Sequence, residues 1–159
     1  MDEAPPIPHP GIGFPPPLIY AGGLAAGWWV HLRWPLPLTA GASRPREMVA
    51  AVCIGVWLVL MLWAFAAFLH AHTTFMPNRP ARLLVTNGPY RFTRNPMYLS
   101  LAALYIGVTL LINSWWPVAL LPIVLILIRR AVVAREERYL ASAFPVEYSD
   151  YCRRVRRWV

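Results

Sequence analysis

The chain has 159 residues, of which 58% are hydrophobic and only 14% are charged, and its mean hydropathy is +0.45. Soluble domains carry about 25% charged residues, so this composition argues against an ordinary soluble protein and indicates an integral membrane protein with one domain. The formal net charge of +8, in which every cationic side chain is arginine, favours contact with anionic lipid headgroups over nucleic acid as a partner.

Residues 1–17 form a proline-rich lead-in, and an apolar stretch follows at residues 18–34. The lead-in starts with acidic residues, whereas a cleaved signal peptide starts with basic ones, and its prolines favour an extended chain. The apolar stretch contains Trp28, Trp29 and Trp34 near its end, and tryptophan is enriched at membrane interfaces. Although its length is marginal for a span, we predict a first membrane helix at residues 18–34.

The clearest predicted span covers residues 48–69, which match the length of about 20 apolar residues that a bilayer requires. The preceding residues 43–47, Ser-Arg-Pro-Arg-Glu, are typical of a helix start. Residues 70–96 are polar and contain histidines and several arginines. A connection of this length in a compact domain is usually either functional or disordered.

Two further apolar helices are predicted at residues 97–112 and 115–128. Only Asn113 and Ser114 separate them, which predicts an antiparallel hairpin. Both arms are short for a span, so helix tilt or local thinning of the bilayer would have to make up the difference. Pro117 and Pro122 are tolerated in membrane helices but are expected to bend the second arm.

The remaining residues, 130–158, are rich in charge and predict a loosely amphipathic helix that Pro145 interrupts, followed by a short helix to Trp158. Its last arginines would lie at the headgroup surface. Arginine is densest here and in residues 70–96, which places both on the cytoplasmic side. The prediction is an all-α membrane bundle of about four spans with a cytoplasmic C-terminal helical lid, all within one domain of residues 18–159.

The sequence Arg94-Asn95-Pro96-Met97-Tyr98 stands at the start of the third predicted span. Proline suits the first position of a helix, and Asn95 is well placed as its N-cap. Such a helix start also binds electron-rich groups, with Tyr98 on the same face as Asn95. These residues alone leave two interpretations open, a capped helix end with interfacial side chains or a binding site.

Glu136 and Glu137 lie among arginines on the amphipathic helix. They predict either a salt-bridged, solvated face or carboxylates that bind a cationic or hydroxyl-bearing ligand. His70 and His72 are two residues apart and would point to different helix faces, which gives a haem or metal site little support. Cys53 and Cys152 lie in unlike surroundings and indicate neither a disulfide nor a metal cluster. No Ser-His-Asp constellation, HExxH, phosphate-binding glycine loop or GxGxxG occurs.

In order, "LLVTNGPYRFTRNPMYLS", an apolar hairpin and "REERYLASAFPVEYSDYCRRVRRW" resemble the isoprenylcysteine carboxyl methyltransferase and phospholipid methyltransferase superfamily of membrane enzymes. The resemblance covers about half of the chain, roughly residues 72–158. It implies that S-adenosylmethionine binds between the cytoplasmic ends of the last membrane helices and the C-terminal helix. A carboxylate and aromatic faces suit this molecule, because it carries a sulfonium and an ammonium group.

Carried over position by position, the resemblance implies four groups of cofactor-binding residues. Backbone groups before the turn would line the cofactor, Tyr90 would pack on it, residues at the start of the third span would form a wall, and Glu136 would hold a polar group. The backbone residues are Arg82, Leu83, Leu84 and Val85, and the wall residues are Asn95, Pro96, Met97 and Tyr98.

The chain departs from the family pattern at three positions. Asn95 replaces the histidine that is usual in eukaryotic members, and both side chains can donate a hydrogen bond. Ser100 stands where the family prefers glycine. Val132 stands four residues before Glu136, where eukaryotic enzymes place an arginine for the substrate carboxylate, and this puts isoprenylcysteine as the substrate in doubt.

These observations predict S-adenosylmethionine-dependent methyl transfer, without a metal, to a lipophilic or small acceptor that reaches the site from the bilayer. O-methylation of an isoprenylcysteine-like carboxylate is the family default, with Arg94 and Arg130 as candidates for fixing an anionic acceptor. A phospholipid amine or a small thiol is the alternative, and an amine would need a base such as Glu137. A non-catalytic membrane adaptor and a haem protein are alternatives of a different class. The expected location is the bacterial inner membrane, with the site facing the cytoplasm.

Overall fold

The computed structural model describes residues 15–71 and 83–158, and the elements in these ranges are all helical. The predicted all-α architecture is therefore confirmed for the described part of the chain. A 3-10 turn spans Gly88–Arg91, and a π-helical turn spans Arg129–Val133. The α-helices are α1 (Pro16–Arg33), α2 (Arg44–His70), α3 (Pro96–Ile112), α4 (Trp115–Ile128), α5 (Ala134–Ala143) and α6 (Pro145–Arg154).

Proline marks the start of four α-helices, in the first turn of α1, α2, α3 and α6. Proline is tolerated there because its missing N–H would have no intrahelical partner in any case. The predicted starts at residues 43–47 and at Pro96 are thus confirmed, as is the interruption at Pro145. Helix α1 begins at Pro16, so the last residues of the predicted lead-in belong to a helix, and residues 1–14 lie outside the described part.

The predicted helical pair at residues 97–112 and 115–128 agrees with α3 and α4 within one residue. Asn113 adopts the left-handed conformation with φ of 57°, which asparagine tolerates better than most residues. Its side-chain amide donates to the Thr39 carbonyl at 3.0 Å, while its oxygen accepts from the Thr39 N–H at 3.0 Å. The Ser114 hydroxyl caps α4 by accepting from the Trp116 N–H. The turn is therefore fastened to the connection between α1 and α2.

Two glycines allow the helices to approach one another closely. Helix α3 packs most extensively on α2, and α4 on α1. A Cβ atom on Gly107 would lie 2.8 Å from Ile54 Cγ1, and one on Gly27 would lie 2.7 Å from the backbone nitrogen of Pro117. Small residues serve this purpose at helix contacts in membranes.

The C-terminal part differs from the prediction in two respects. First, α4 continues without a break through the π turn into α5, so residues 115–143 form one helix rather than a span followed by a separate helix that starts at 130. Second, α6 ends at Arg154, and Val155 is extended, so the predicted helix to Trp158 is wrong there. Residues 155–158 return to the start of α3, because backbone and side-chain hydrogen bonds hold them there.

Two helices, Arg44–His70 and Trp115–Ala143, are long and apolar enough to cross a membrane, and Pro96–Ile112 is a shorter apolar helix. This criterion rests on length and composition alone, and it supports two of the four predicted spans. The longer helix α2 exposes many apolar side chains, as expected for contact with lipid, including Val52, Val59 and Leu62. The helix Trp115–Ala143 is apolar up to Ile128 and charged beyond it.

Candidate functional site

The candidate site lies where the start of α3 faces α5. The Tyr98 hydroxyl, in the first turn of α3, donates a hydrogen bond to Glu136 Oε1 at 2.6 Å. Helix α1 reaches the same end of the bundle, because the Tyr20 hydroxyl donates to the Tyr98 carbonyl at 2.9 Å. Tyr98 also packs against the main apolar cluster, which includes Leu101 and Val132. The structure therefore brings together two residues that are 38 positions apart in the sequence.

Glu136 lies beyond the apolar part of its helix and is half-buried. Burial raises the pKa of its carboxyl from 4.5 to about 7; the hydrogen bond from Tyr98 opposes this rise, and the charge of Glu137 adds to it. A nearby cation would favour the ionised form of such a group. A carboxyl held in this way is therefore suited to bind a positively charged part of a ligand.

The π turn sets the direction in which Glu136 points. A π turn holds one more residue than an α-helical turn. The residues after it therefore point about 100° away from the direction they would have in an uninterrupted α-helix of the same sequence. Val132 and Val133 are consecutive in sequence and both almost fully buried, at 1% exposure each. Val132, where eukaryotic relatives are expected to carry arginine, is thus a core residue.

Glu137, beside Glu136, belongs to an ion-pair cluster. Arg157 Nε and Nη2 donate to Glu137 Oε1 and Oε2, both at 2.8 Å, and Arg94 Nη1 lies 3.3 Å from Oε1. The hydrogen bond to Glu137 raises the pKa of Arg157 further. Arg94 Nη1 also contacts Cys152 Sγ at 2.7 Å and the Tyr148 hydroxyl at 3.4 Å. Arg94 and Glu137, predicted to serve the acceptor, are therefore engaged with each other.

Asn95 precedes α3 as predicted, but its side chain does not cap the helix. Its Nδ2 donates instead to the Arg157 carbonyl at 2.9 Å, and its backbone N–H donates to Thr93 Oγ1 at 3.2 Å. The expected side-chain cap is wrong, because residues 155–158 supply a carbonyl that takes the amide. Asn95 is buried at 6% exposure, so this hydrogen bond satisfies an otherwise costly buried donor.

Tyr90 lies on the other side of the site. It is buried among Ala64, Ala67 and Val85, and its carbonyl accepts from the Tyr151 hydroxyl at 2.7 Å. Burial, and secondarily the charge of Glu136, raise the pKa of Tyr90 above its usual range. Met97, in the first turn of α3, packs against the cluster that contains Tyr90.

The predicted backbone segment is described only from Leu83 onward, since Arg82 lies outside the described residues. Leu83 is exposed, Leu84 is half-buried and Val85 is buried. Within the described ranges, the backbone groups of residues 83–86 form no hydrogen bond with the rest of the backbone. Backbone groups are obligatory hydrogen-bonding partners, so residues 83–86 are candidates for backbone contacts with a bound molecule.

The other predicted residues differ in their placement. Pro96 is fully buried, and Met97 packs beside Tyr90. Ser100 is also fully buried, and its hydroxyl donates to the Met97 carbonyl at 2.7 Å.

Arg130 is exposed in the π turn, and no ion pair joins it to another described residue. The sequence predicts Arg157 only as one of the arginines at the headgroup surface, whereas its side chain binds Glu137.

The alternative metal and haem sites receive no support from residues 15–71 and 83–158. In these ranges no group of three or more His, Cys, Asp or Glu side chains could hold a metal ion. His70 is exposed at the end of α2, and His72 lies outside the described residues.

The arrangement fits S-adenosylmethionine in three respects. Glu136 offers a half-buried carboxyl whose raised pKa a cation would offset. The half-buried Tyr98 offers an aromatic ring, and aromatic rings attract cations. Residues 83–86 offer backbone groups as candidates for contacts with the ligand. These features match a ligand that has positive charge, a planar base and several hydrogen-bonding groups.

Comparison with known proteins gives relatives of two kinds. The cobalt-zinc-cadmium resistance protein CzcN of Cupriavidus metallidurans is 28% identical over 73% of this chain and 68% of its own length. The nickel-cobalt-cadmium resistance protein NccN of Alcaligenes xylosoxydans xylosoxydans is 27% identical over 76% and 67%. The protein-S-isoprenylcysteine O-methyltransferase of Schizosaccharomyces pombe is 27% identical over 65% of this chain but only 44% of its own length.

No solved structure matches the chain significantly. The pattern of the phospholipid methyltransferase family matches residues 45–147, a range that holds Tyr90, the start of α3 and both glutamates of α5. This range covers well over half of the chain and confirms the superfamily that the motifs indicate. The chain therefore belongs to the phospholipid methyltransferase family.

Proposed function

We propose that this protein is a membrane methyltransferase that uses S-adenosylmethionine and acts on a lipophilic or small acceptor. The observation that carries the proposal is the Tyr98–Glu136 pair, a half-buried phenol and carboxyl 2.6 Å apart. Both residues stand at positions where the family resemblance expects cofactor contacts. Membership of the phospholipid methyltransferase family supports the same reaction class.

In this proposal Glu136 holds a cationic group of the cofactor, and Tyr90 and Tyr98 pack against it. Arg82, Leu83, Leu84 and Val85 bind through their backbone groups, and Asn95, Pro96 and Met97 form the wall. S-adenosylmethionine supplies a methyl group on a sulfonium, which makes that methyl electrophilic. The contribution of the protein is to hold donor and acceptor in line and to exclude water from the site.

The choice of acceptor depends on the cations and carboxylates near the site. Both oxygens of Glu137 accept hydrogen bonds from Arg157, which disfavours Glu137 as the base that an amine acceptor would need. Arg94 is held by Glu137 and Cys152, so the exposed Arg130 is the better candidate for an anionic acceptor. We therefore favour an acceptor that needs no base, such as a carboxylate or a thiolate, over a phospholipid amine.

We further propose that α1 and α3 also lie in the bilayer, so that the protein has four spans. Helix α3 is apolar but short, and it packs along α2, which is long enough to span. Arginine is concentrated at the site end of the bundle, which by the positive-inside rule faces the cytoplasm. In a bacterium this would be the inner membrane.

A methyl-transfer screen tests the proposed function. The purified protein is incubated with methyl-labelled S-adenosylmethionine and lipid extracts or small thiols, and labelled products are identified by mass. We expect a labelled, membrane-soluble or small product that Glu136→Gln does not form. A folded protein that binds S-adenosylmethionine but labels no acceptor in any fraction would favour the non-catalytic adaptor instead.

A further inference from the structure

Residues 155–158 leave α6 as an irregular segment, with Val155 extended, and contact the residues before α3. The Arg94 N–H donates to the Arg156 carbonyl at 3.0 Å. The Arg157 carbonyl accepts from Thr93 Oγ1 at 3.2 Å and from Asn95 Nδ2 at 2.9 Å. These contacts attach the segment to the three residues that precede α3.

Arg157 also connects this segment to α5. Its guanidinium binds both oxygens of Glu137 at 2.8 Å, while its own carbonyl holds Asn95. Glu137 adjoins Glu136 in sequence, and Asn95 lies three residues before Tyr98. Through Glu137 and Asn95, Arg157 therefore contacts a residue close in sequence to each partner of the Tyr98–Glu136 hydrogen bond.

The Arg157–Glu137 pair has the geometry of a strong interaction. Two parallel N–H···O bonds to one carboxylate fix direction as well as distance. The side chain of Glu137 is only 19% exposed and that of Arg157 is 37% exposed, so water screens the pair incompletely. Trp158, the next residue, packs against the cluster that contains Tyr98.

We propose that Arg157 is a positioning residue, which sets the spacing of Tyr98 and Glu136 by fastening α5 to the start of α3. This proposal rests on the proposed function, since the two positioned residues are those assigned to the cofactor. Arg157 itself touches neither Tyr98 nor Glu136 in any recorded hydrogen bond, and it acts through Glu137 and Asn95. Arg157 lies after residue 147, where the match to the phospholipid methyltransferase family ends.

The test is a calorimetric titration of S-adenosylmethionine into the purified full chain and its variants. Arg157→Gln removes the guanidinium, and we expect it to weaken binding about tenfold. Arg157→Lys keeps the charge without the two-pronged geometry and should restore part of the affinity. Arg153→Gln is the matched control, because it removes the same charge from an exposed pair with Asp150 and should bind as the unaltered protein does.

The pH dependence of binding separates positioning from a general loosening of the fold. Tyr98, Tyr90 and Glu137 are the titratable groups that act on Glu136. Without Arg157 the charge of Glu137 is less neutralised, so the pKa of Glu136 rises and the midpoint of binding moves to higher pH. In Glu137→Gln that charge is absent, and the midpoint moves to lower pH. A general loosening would weaken binding equally at every pH.

The outcomes are distinct. If the unaltered protein does not bind S-adenosylmethionine, the proposed function fails and the positioning proposal fails with it. If it binds, and folded Arg157→Gln binds as tightly as Arg153→Gln, the positioning proposal fails and the proposed function stands. If Arg157→Gln does not fold, Glu137→Gln removes the same pair from the other side. Its affinity is then measured well above pH 7, where Glu136 is ionised in both proteins, and unchanged affinity there overturns the proposal.

Discussion

Glu136 and Tyr98 are the two residues on which the proposed cofactor site depends most. Both were predicted from the motif, and the structure joins them by a 2.6 Å hydrogen bond. The environment of the pair could not be predicted, because the pKa of a carboxyl depends on burial and on neighbours that are distant in sequence. The contact of Asn95 with Arg157 was missed for the same reason, since local sequence favours a helix cap.

The raised pKa of Glu136 predicts that cofactor binding depends on pH. The ionised carboxylate is the form that attracts a cation, and with a pKa of about 7 its population falls about tenfold between pH 8 and pH 6. We therefore expect the affinity for S-adenosylmethionine to fall about tenfold over this interval, as measured by calorimetry. Glu136→Gln should bind at least about tenfold more weakly and show no step near pH 7.

The raised pKa of Glu136 also predicts how the stability of the ligand-free protein depends on pH. Because the pKa of Glu136 is higher in the folded protein than its ordinary value of 4.5, its ionisation opposes folding. The protonated carboxyl of Glu136 therefore contributes its full stabilisation of the fold below about pH 4.5, and this contribution is lost as the pH rises to about 7. Comparing thermal unfolding of the protein with that of Glu136→Gln between pH 5 and pH 8 isolates this effect; parallel curves would contradict it.

Tyr98→Phe tests the hydrogen bond alone. Removing the hydroxyl removes a donor that favours the ionised carboxylate, so the pKa of Glu136 should rise and binding at pH 7 should weaken. Tyr105→Phe is the control, since the Tyr105 hydroxyl donates to the Pro117 carbonyl at 2.8 Å, deeper in the bundle. We expect it to reduce thermal stability without changing the affinity. Equal losses of affinity in the two variants would refute this assignment.

At the scale of secondary structure, the helix starts could be predicted because proline and the connector residues determine them locally. The π turn could not, because the segment Arg-Arg-Ala-Val-Val has no residue that breaks an α-helix. Its cause is tertiary, since both valines are buried in the same cluster. The end of α6 at Arg154 was missed for a similar reason, because residues 155–158 make their hydrogen bonds to the residues before α3.

A change of one residue in the π turn tests its role in directing Glu136. Inserting one alanine after Ala131 should rotate α5 by about 100° and separate Glu136 from Tyr98, so binding of S-adenosylmethionine should be lost. Deleting Ala131 should convert the π turn into an α-helical turn and keep the phase of α5, so binding should largely persist. Circular dichroism checks that both variants fold. Tight binding by the insertion variant would show that the turn does not direct Glu136.

The contact between α1 and α4 gives a prediction for stability. A Cβ on Gly27 would lie 2.7 to 2.8 Å from backbone atoms of Pro117, which cannot move aside as a side chain can. Gly27→Ala should therefore cost about 1–3 kcal/mol and lower the melting temperature. Gly22→Ala is the control, because nothing lies within 4 Å of its Cβ position, and alanine should stabilise α1 slightly. If both variants melt alike, α1 does not pack on α4 in this way.

At the scale of the whole molecule, the helices bring segments from most of the chain to one end of the bundle. The start of α1, the end of α2, the start of α3 and the π turn after α4 all reach the site, through Tyr20, Ala67, Tyr98 and Val132. The all-helical class followed from composition and apolar runs. The number of spans did not follow in the same way, because within residues 15–71 and 83–158 two helices meet the criterion of length and apolarity, whereas four spans were predicted.

The most direct test of this account is a calorimetric titration of S-adenosylmethionine into the purified protein in lipid nanodiscs at pH 8. We expect binding to a single site, because one Tyr98–Glu136 pair is assigned to the cofactor. Glu136→Gln, with an unchanged circular dichroism spectrum, should weaken this binding at least about tenfold. A folded protein that does not bind, or a Glu136→Gln variant that binds with the same affinity, would contradict the account.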